Sequence, residues 1–519
     1  MAIIKLGVPG AVFVYLWMFI RKKLNKSGKV SIQVIDKSSN KYKVIKTIGC
    51  SDSPIEIEKL MHVARQWIND YQNTPELDFH NFEDSIQRVV GTISGHRLVG
   101  IELTVGKVFD AIGFDQIKDK LFKSLVLYRL VYPKSKVKTA EYFYRYEQKT
   151  TDENAIYRYM DKLYNTQKEI VQQISYTHTL QVLAELIQVV FYDVTTIYFE
   201  VDQEDELRKT GFSKEGKHQN PQIVLGLLVS KNGYPLAYDI FEGSQFEGFT
   251  MIPIINKFKE KYNLNQLVVI ADSGLLSNKN IEELIKGGYE FILGGRIKNE
   301  SQAIKKQINS LELKDGQSKI IQKGLLSLIV NYSEKRAKKD MYNREKGLLK
   351  LQKQLRTGKL TKANINNRGY NKYLKLEGQI NIEIDHEKFE SDKQWDGLKG
   401  YLTNTKMSKD EVLENYNQLW QIEKAFRVMK TDLKIRPIFH RAKRRIEAHI
   451  CLSFVAYKVY KELERILQFV APDLSPNKVI EIASNIYQLE LIDPNTGKKH
   501  YQNLLLLDEQ KKIAEIFEF

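Results

Sequence analysis

Residues 189–194, Val-Val-Phe-Tyr-Asp-Val, set one acidic side chain inside an otherwise apolar run. The β-branched and aromatic residues predict a buried strand, where a carboxylate is costly unless a positive partner satisfies it. A second apolar run, 267–271, ends directly at Asp272, and a third acid, Glu423, lies in a segment of helical periodicity. Asp193, Asp272 and Glu423 therefore lie on three separate predicted elements and share a need for positive charge.

The elements around Asp193 occur in an order that indicates the fold class. Three strand-like segments follow one another, and the last two are joined by Asn232-Gly233, a strong hairpin signal. Helical and strand-like segments then alternate, which is typical of an α/β fold with a ribonuclease-H-like core. The predicted strands are 188–199, 222–230, 234–241, 267–272 and 289–294, and the predicted helices are 250–262 and 279–286.

A basic segment interrupts this alternation after Arg296. Strand-like stretches at 318–332 and 379–385 bracket residues 335–363, which contain eleven Lys and Arg against two acids. The length of the interruption favours an inserted β-rich subdomain over a loop. The charge run indicates either a DNA-contacting surface or a solvated helix.

The predicted core resumes with a strand at 400–404. Ser408 and Glu411 have the spacing of a capping box, which predicts the start of the helix that carries Glu423. Beyond Ile450 the chain is helical and more apolar, as expected of a segment that covers the core or forms an oligomer face.

The chain before the core has two patterns. Strand-like segments at 30–34 and 42–48, with a helix that starts at Pro54, predict a hairpin-plus-helix module. Residues 105–186 have helical periodicity and a basic run at 134–138, which fits either DNA binding or a solvated scaffold. The predicted apolar positions are Ile55, Ile57, Leu60 and Val63 in the module, and Phe122, Leu125, Leu127 and Leu130 in the helical region.

The first residues of the chain are also apolar. The run at 7–20 is shorter than the ~20 residues that span a bilayer, and no signal-peptide cleavage site follows it. Because residues 18–23 resemble a natural start, we expect 1–17 to be a translated upstream segment. The other predicted domains are 18–104, the hairpin module; 105–186, the helical region; 187–295, the first part of the core; 296–394, the insertion; 395–470, the second part of the core; and 471–519, a helical tail.

Composition narrows the class of partner. The net charge of +16 over 519 residues favours a polyanion such as nucleic acid, because binding each phosphate releases counterions; a merely basic enzyme is the alternative. Cys50 and Cys451 are too few for a disulfide framework, so the chain suits a reducing cytoplasm.

Carboxylates on separate elements suit the cleavage of a phosphodiester. Two Mg²⁺ or Mn²⁺ ions about 3.5 to 4 Å apart can stabilise the attacking and the leaving oxygen, and such ions prefer oxygen ligands. On the predicted helix, Tyr416, Leu419, Glu423, Arg427 and Lys430 recur at steps of three or four residues. This face presents an acid beside a phenol and two cations, although an ordinary amphipathic helix with a Glu423–Arg427 pair has the same spacing.

The spacing resembles that of the DDE transposases of bacterial insertion sequences, in the insertion sequence four group. That group is marked by Tyr, two residues, Arg, three residues, Glu, six residues and Lys. Tyr416, Glu423 and Lys430 match this signature, whereas Leu419 occupies the Arg position. The resemblance covers most of the chain after residue 17 and extends over 132–136, 192–196, 222–227, 233–236, 271–274, 436–440 and 447–450.

The resemblance implies cut-and-paste transposition by DNA cleavage and strand transfer, with Asp193, Asp272 and Glu423 as ligands of two Mg²⁺ or Mn²⁺ ions. It also implies that Lys430 and Arg436 bind phosphates near the cut, and it makes Arg427 the candidate to replace the missing Arg at 419. Tyr416 has two alternatives, a phosphate contact or core packing. The implied partners are double-stranded DNA with terminal inverted repeats, target DNA and a second copy on DNA, in the cytoplasm near the nucleoid and away from membranes.

Two other functions use the same residues. A hydrolytic DNA nuclease would share the three carboxylates, and an inactive relative would bind DNA only. His440 and His449 lack companion zinc ligands, which favours packing or a phosphate contact. Trp395 and Trp420 could stack on an extruded base, but core packing is the commoner fate of a tryptophan.

Overall fold

The computed structural model describes residues 18–38, 41–72, 90–163, 167–184, 186–213, 216–361, 364–366, 369–377, 381–494 and 496–519. The prediction for residues 1–17 lies outside the described residues. The chain divides into two compact units, one within 1–94 with 492–498 and one formed by 95–491 with 499–519. The helical region at 105–186 therefore belongs to the same unit as the predicted core. No helix among the described residues is both long and apolar enough to cross a membrane.

The first unit contains the predicted hairpin and helix and one strand more. An antiparallel sheet in the order β1-β2-β3 packs against α1, and Ile32, Val34, Ala64 and Ile68 are buried between them. Val63, predicted on the apolar side of the helix, is 49% exposed, so that assignment was wrong. The elements are β1 Met18–Leu24, β2 Val30–Asp36, β3 Lys43–Ser51 and α1 Pro54–Gln72.

The second unit is built on a large mixed sheet of order β10-β11-β14-β9-β8-β5-β6-β7. β5, β8 and β9 run parallel, while β6, β7, β14, β11 and β10 join by antiparallel pairing. The five strands predicted around Asp193 are confirmed, and so is the hairpin between β6 and β7. The strands are β5 Val189–Tyr198, β6 Gln222–Ser230, β7 Pro235–Glu242, β8 Val268–Ala271, β9 Glu290–Gly295, β10 Ser318–Lys323, β11 Leu326–Tyr332 and β14 Leu398–Thr403.

Both faces of this sheet are covered. In β5, Phe191 and Ile197 join one hydrophobic cluster, whereas Val190, Tyr192 and Val194 join another, as the two-residue period of a strand requires. The predicted helices near 250–262 and 279–286 are confirmed. The α-helices of this unit up to residue 309 are α2 Lys107–Ala111, α3 Lys120–Val131, α4 Lys136–Glu147, α5 Glu153–Leu163, α6 Lys168–Leu183, α7 Met251–Tyr262, α8 Asn278–Lys286 and α9 Gln302–Asn309.

The chain between 296 and 394 contributes strands to the main sheet and also forms a separate small hydrophobic cluster. β10 and β11, which fall inside the predicted insertion, extend the main sheet through β14. The basic run instead forms one long helix, α10, which packs with the hairpin β12–β13 around Leu351, Tyr373 and Phe389. The elements are α10 Glu334–Arg356, β12 Leu374–Glu377, β13 Asn381–Ile384 and α11 His386–Ser391.

The C-terminal part is helical apart from a small sheet. The 28-residue helix α14 is buried along much of its length and packs against α3, α5 and the main sheet. A three-stranded sheet has the order β16-β15-β4. The elements are β4 Ile93–Leu98, α12 Lys409–Asn417, α13 Trp420–Thr431, α14 Lys443–Val470, α15 Pro476–Ala483, β15 Tyr487–Ile492, β16 Lys499–Leu504 and α16 Asp508–Phe517.

Candidate active site

The parallel pairing of β5 and β8 brings two of the predicted acids together. Tyr192 of β5 lies opposite Ala271 of β8, and the next residue along each chain is Asp193 and Asp272. Asp272 continues in an extended conformation at the end of β8. Because neighbouring strands are about 4.8 Å apart and side chains at paired positions point to the same face, the two carboxylates lie side by side on one face of the sheet.

The acids are more accessible than the apolar sequence around them suggests. Asp193 is half-buried, and Asp272 and Glu423 are exposed, although the strands before the two aspartates are buried. The predicted buried strands are thus confirmed, whereas the three carboxylates themselves are not fully buried. Their side chains reach solvent, where a substrate or an ion can contact them.

Glu423 lies on a separate short helix. The capping box of Ser408 and Glu411 is confirmed, but it begins α12, which ends at Asn417, and α13 then begins at Trp420 with Glu423 in its first turn. The prediction of one continuous helix was wrong.

A tightened turn joins the two helices. The Leu419 N–H donates to the Tyr416 carbonyl, and the Ile422 N–H donates to the Leu419 carbonyl. Such i to i+3 bonds align residues three apart, so Tyr416 and Leu419 both face the core, where both are buried. The turn thus departs from regular α-helix geometry and buries two large side chains.

Tyr416 connects this turn to the sheet. Its hydroxyl donates to Oδ1 of Asp272 over 3.3 Å, and burial, followed by the charge of Asp272, raises the pKa of the phenol. A side chain at Gly294 would come within 2.6 Å of the same hydroxyl, so the glycine leaves room for it. Of the two alternatives for Tyr416, core packing applies, and the phenol also makes a hydrogen bond to a candidate ligand.

Lys399 is a site residue that the sequence did not reveal. Its ammonium lies 4.5 Å from the centre of the Tyr416 ring. Burial and Arg336 lower its pKa, whereas Asp272 and Glu423 act in the opposite direction and therefore lie near it. Lys399 lies one residue before the predicted strand at 400–404, but it is part of β14, where the alternation of Lys399, Tyr401 and Thr403 puts the lysine on the same face as a buried tyrosine.

The remaining predicted residues of the helix occupy different environments. Glu423 and Arg427 are exposed on one face of α13, and Lys430 is half-buried. Leu419, at the position of the signature arginine, is 8% exposed and belongs to the hydrophobic core. Trp420 is exposed beside Glu423, whereas Trp395 is buried.

Arg436 lies apart from these residues. It precedes a segment that meets the C-terminal end of β5, where Ile438 pairs with Phe199. Arg436 lines a cavity there with His440 and His449, so the structure places it away from the turn that carries Tyr416.

A cationic cavity adjoins the acids. It has a volume of about 610 Å³ and extends from Ser273, next to Asp272, toward α10. Several of its cations are partly balanced, since Arg344 pairs with Asp396 and Lys372 pairs with Asp392. The cationic residues that line it are Arg296, Lys298, Arg336, Arg344, Lys372 and Lys399.

The donor set matches the preference of hard divalent cations. Asp193, Asp272 and Glu423 offer only carboxylate oxygens, which suit Mg²⁺ or Mn²⁺. Within the part of the chain that the structure describes, no three such side chains stand close enough together to hold one ion. Asp193 and Asp272 thus provide a pair, and Glu423 would complete the set through a movement of its exposed side chain.

Comparison with known proteins assigns the family. Residues 185–458, which include all three acids, match the model of the transposase DDE domain. The chain belongs to the DDE transposase family. It is therefore a transposase that acts in DNA recombination, with DNA as its partner, and enzymes of this family use divalent metal ions.

Comparisons with solved structures and with curated proteins do not narrow the family further. The piggyBac transposase synaptic complex with hairpin DNA, a solved structure, is similar over 74% of this chain and 76% of that chain, with 9% identity and a TM-score of 0.39. The search of curated proteins finds no match.

Proposed function

We propose that this transposase moves an insertion sequence of the insertion sequence four group by cut-and-paste transposition, with Asp193, Asp272 and Glu423 as its metal ligands. The register of β5 and β8, which sets Asp193 beside Asp272, is the observation that supports this most directly. The charges of Asp272 and Glu423 both raise the pKa of Lys399, so the third acid acts on the same ammonium as Asp272.

The bound ions, two by analogy with other phosphodiester-cleaving sites, would activate a water or a 3′-hydroxyl and neutralise the charge on the phosphate. The chain's own residues orient this chemistry. Tyr416 holds one oxygen of Asp272, which fixes the rotation of that carboxylate. Lys399 would supply positive charge beside the acids, and Arg427 and Lys430 on α13 would contact the phosphates next to the cut.

The basic cavity and α10 suit the path of the DNA. Many cations of α10 are exposed, among them Lys335, Lys339, Lys346 and Lys350. Exposed lysines neutralise phosphates without reading sequence, so this helix would position the duplex and leave sequence recognition to other residues. Strand transfer at two ends requires two active sites, and we propose a homodimer on DNA.

Incubating the protein and Mg²⁺ with DNA that carries the element's terminal inverted repeats and a target plasmid tests the proposal. The expected products are cleaved ends and strand-transfer joints. Asp193→Asn, Asp272→Asn and Glu423→Gln should each lower the yield of both by at least about 100-fold, as loss of a transition-state contact does. Glu414→Gln is the matched control, because it removes the same charge from an exposed position on α12.

The products separate this proposal from the two alternatives. Cleavage without strand-transfer joints would identify a hydrolytic nuclease. DNA binding by the unmodified protein without cleavage would identify a binding-only relative. Full activity in all three acid variants would reject the assignment of the site.

A further inference from the structure

A second cationic cavity lies near the C-terminal end of β5, outside the carboxylate site. It has a volume of about 250 Å³ and lies between α3, the start of α4 and the segment 434–440. Among the described residues that line it, none is a carboxylate. Its basic side chains are Arg129, Lys134, Lys136, Lys434, Arg436, His440 and His449, and Tyr157 also lines it.

The floor of this cavity consists of buried polar side chains. Arg129 is 6% exposed, Lys136 is 4% exposed and His449 is 5% exposed. The Nε of Arg129 has no hydrogen-bond partner, although its Nη1 donates to the Leu433 carbonyl over 3.4 Å. Leaving a buried guanidinium N–H unsatisfied is costly, so the site retains a donor that a ligand can use.

His449 is held in its neutral form by its two contacts. Its Nε2 lies 3.0 Å from the Ile435 carbonyl, which can only accept, so this nitrogen carries the proton. The other ring nitrogen, Nδ1, therefore accepts from Nη2 of Arg129 over 2.8 Å. The histidine thus orients the guanidinium and adds no charge of its own.

Among the described residues, no carboxylate pairs with Arg129 or Lys136 in the floor of the cavity. Burial lowers the pKa of Arg129 to about 10, and burial together with Arg129 lowers the pKa of Lys136 well below its usual value. The nearby Asp161 is engaged by Arg444 and Arg445. Two buried cations that face a cavity without an acid create a site of positive potential, which an anion would relieve.

The rim of the cavity is open to solvent. Lys134, Lys434 and Phe439 are exposed. Lys136 is the first residue of the 12-residue helix α4, and the dipole of this helix adds positive potential at the same place, although Ser135 caps the Lys138 N–H. A group that enters therefore passes exposed lysines before it reaches the buried arginine and lysine.

We propose that this cavity binds a backbone phosphate of the DNA away from the cut. The Ile438 N–H donates to the Tyr198 carbonyl, and Tyr198 is five residues beyond Asp193 on β5, so the segment that lines the cavity meets β5 about 17 Å along the strand from Asp193. The bound phosphate is thus several nucleotides from the scissile one and sets the position of the duplex. The proposal rests on the chain being a DNA transposase and does not depend on the assignment of the three acids.

The test compares two lysines of the same helix. Lys136→Met removes the buried charge, and Lys138→Met removes one exposed charge that pairs with Glu141, so both variants have the same net charge. DNA affinity is measured by fluorescence anisotropy at several salt concentrations, without divalent ions, so that the acids play no part. Lys136→Met should bind the DNA end at least about 10-fold more weakly and reduce the salt slope by about 1, whereas Lys138→Met should change neither by more than about 2-fold.

A second variant and a second ligand complete the test. Lys434→Asn changes only the exposed rim and accepts the positive φ of 45° at that position, so it should fold and also weaken binding. Equal loss of affinity in Lys136→Met and Lys138→Met would overturn the proposal. Inorganic phosphate that raises the Tm of the unmodified protein but not of Lys136→Met, with DNA affinity unchanged between them, would also overturn it and identify a site for the free anion.

Discussion

At the scale of single residues, the bond from Tyr416 to Asp272 is the most informative contact of the site. Tyr416→Phe removes the hydroxyl and keeps the buried ring, so we expect the fold to remain and the carboxylate to lose its orientation. Loss of one neutral-to-charged hydrogen bond of this kind should lower the cleavage rate by about 10-fold to 100-fold. Single-turnover cleavage and DNA affinity are the measurements, and affinity should stay unchanged.

Tyr401→Phe is the control for that substitution. The Tyr401 ring packs edge to face on Tyr416 at 4.8 Å, and its hydroxyl lies 3.5 Å from Asn331 instead of an acid. It should cleave DNA at the unmodified rate. If the two variants lost activity equally, packing in this cluster would matter and the bond to Asp272 would not.

Part of this site was predictable from local sequence. An acid inside an apolar strand pattern marks Asp193, and an acid directly after one marks Asp272, because both patterns depend only on neighbouring residues. The contacts of Lys399 and Tyr416 are not local, since they join residues 144 positions apart in the case of Tyr416 and Asp272. Periodicity gives the face of a side chain, but it does not give the partner on another element.

At the scale of elements, the turn between α12 and α13 changes the meaning of Leu419. The signature arginine at this position would face the core, because the tightened turn directs residue 419 inward with Tyr416. We expect Leu419→Arg to destabilise the protein by about 2–4 kcal/mol through burial of a charge and loss of packing. Urea denaturation measures this, and Leu419→Met should cost less than about 1.5 kcal/mol.

Activity provides a second measurement on the same variants. If Leu419→Arg were as stable as the unmodified protein and cleaved DNA faster, the arginine would reach a phosphate from this position, and the inward direction of residue 419 would not apply in the DNA complex.

In the main sheet, the strands could be predicted from the sequence, but their pairing could not. The pattern at 318–332 correctly predicts extended chain, and the structure resolves it into β10 and β11. Their membership of the main sheet was not predictable, because it depends on pairing with β14, about 70 residues further along the chain. The basic run between β11 and β14 led to the prediction that this whole segment is a separate subdomain. Length and charge can be read from the sequence, whereas the pairing partner of a strand cannot.

At the scale of the whole molecule, buried neutral histidines make stability depend on pH. Burial, then Lys458, lowers the pKa of His178 to about 4, and burial lowers that of His440 to about 3. His449 shifts in the same direction. An unfolded histidine has a pKa near 6.5, so below that pH the unfolded chain binds protons at positions where the folded chain stays unprotonated. The contribution of each histidine is therefore fully present above about pH 6.5 and is lost as pH falls toward the folded pKa.

Stability should accordingly fall between pH 7 and pH 5, by roughly 1 to 2 kcal/mol for each such histidine. His178 is the best position for the test, because it is buried away from both cavities and its Nδ1 lacks a hydrogen-bond partner. His178→Gln removes one titrating group, so its Tm should change less between pH 7 and pH 5 than the Tm of the unmodified protein. His62→Gln, at an exposed position of α1, should leave the pH dependence unchanged. A His178→Gln variant with the same pH dependence as the unmodified protein would contradict this prediction. It would show that His178 takes up its proton in the folded state, where the carboxylate of Glu462, 3.8 Å away, would stabilise the positive charge.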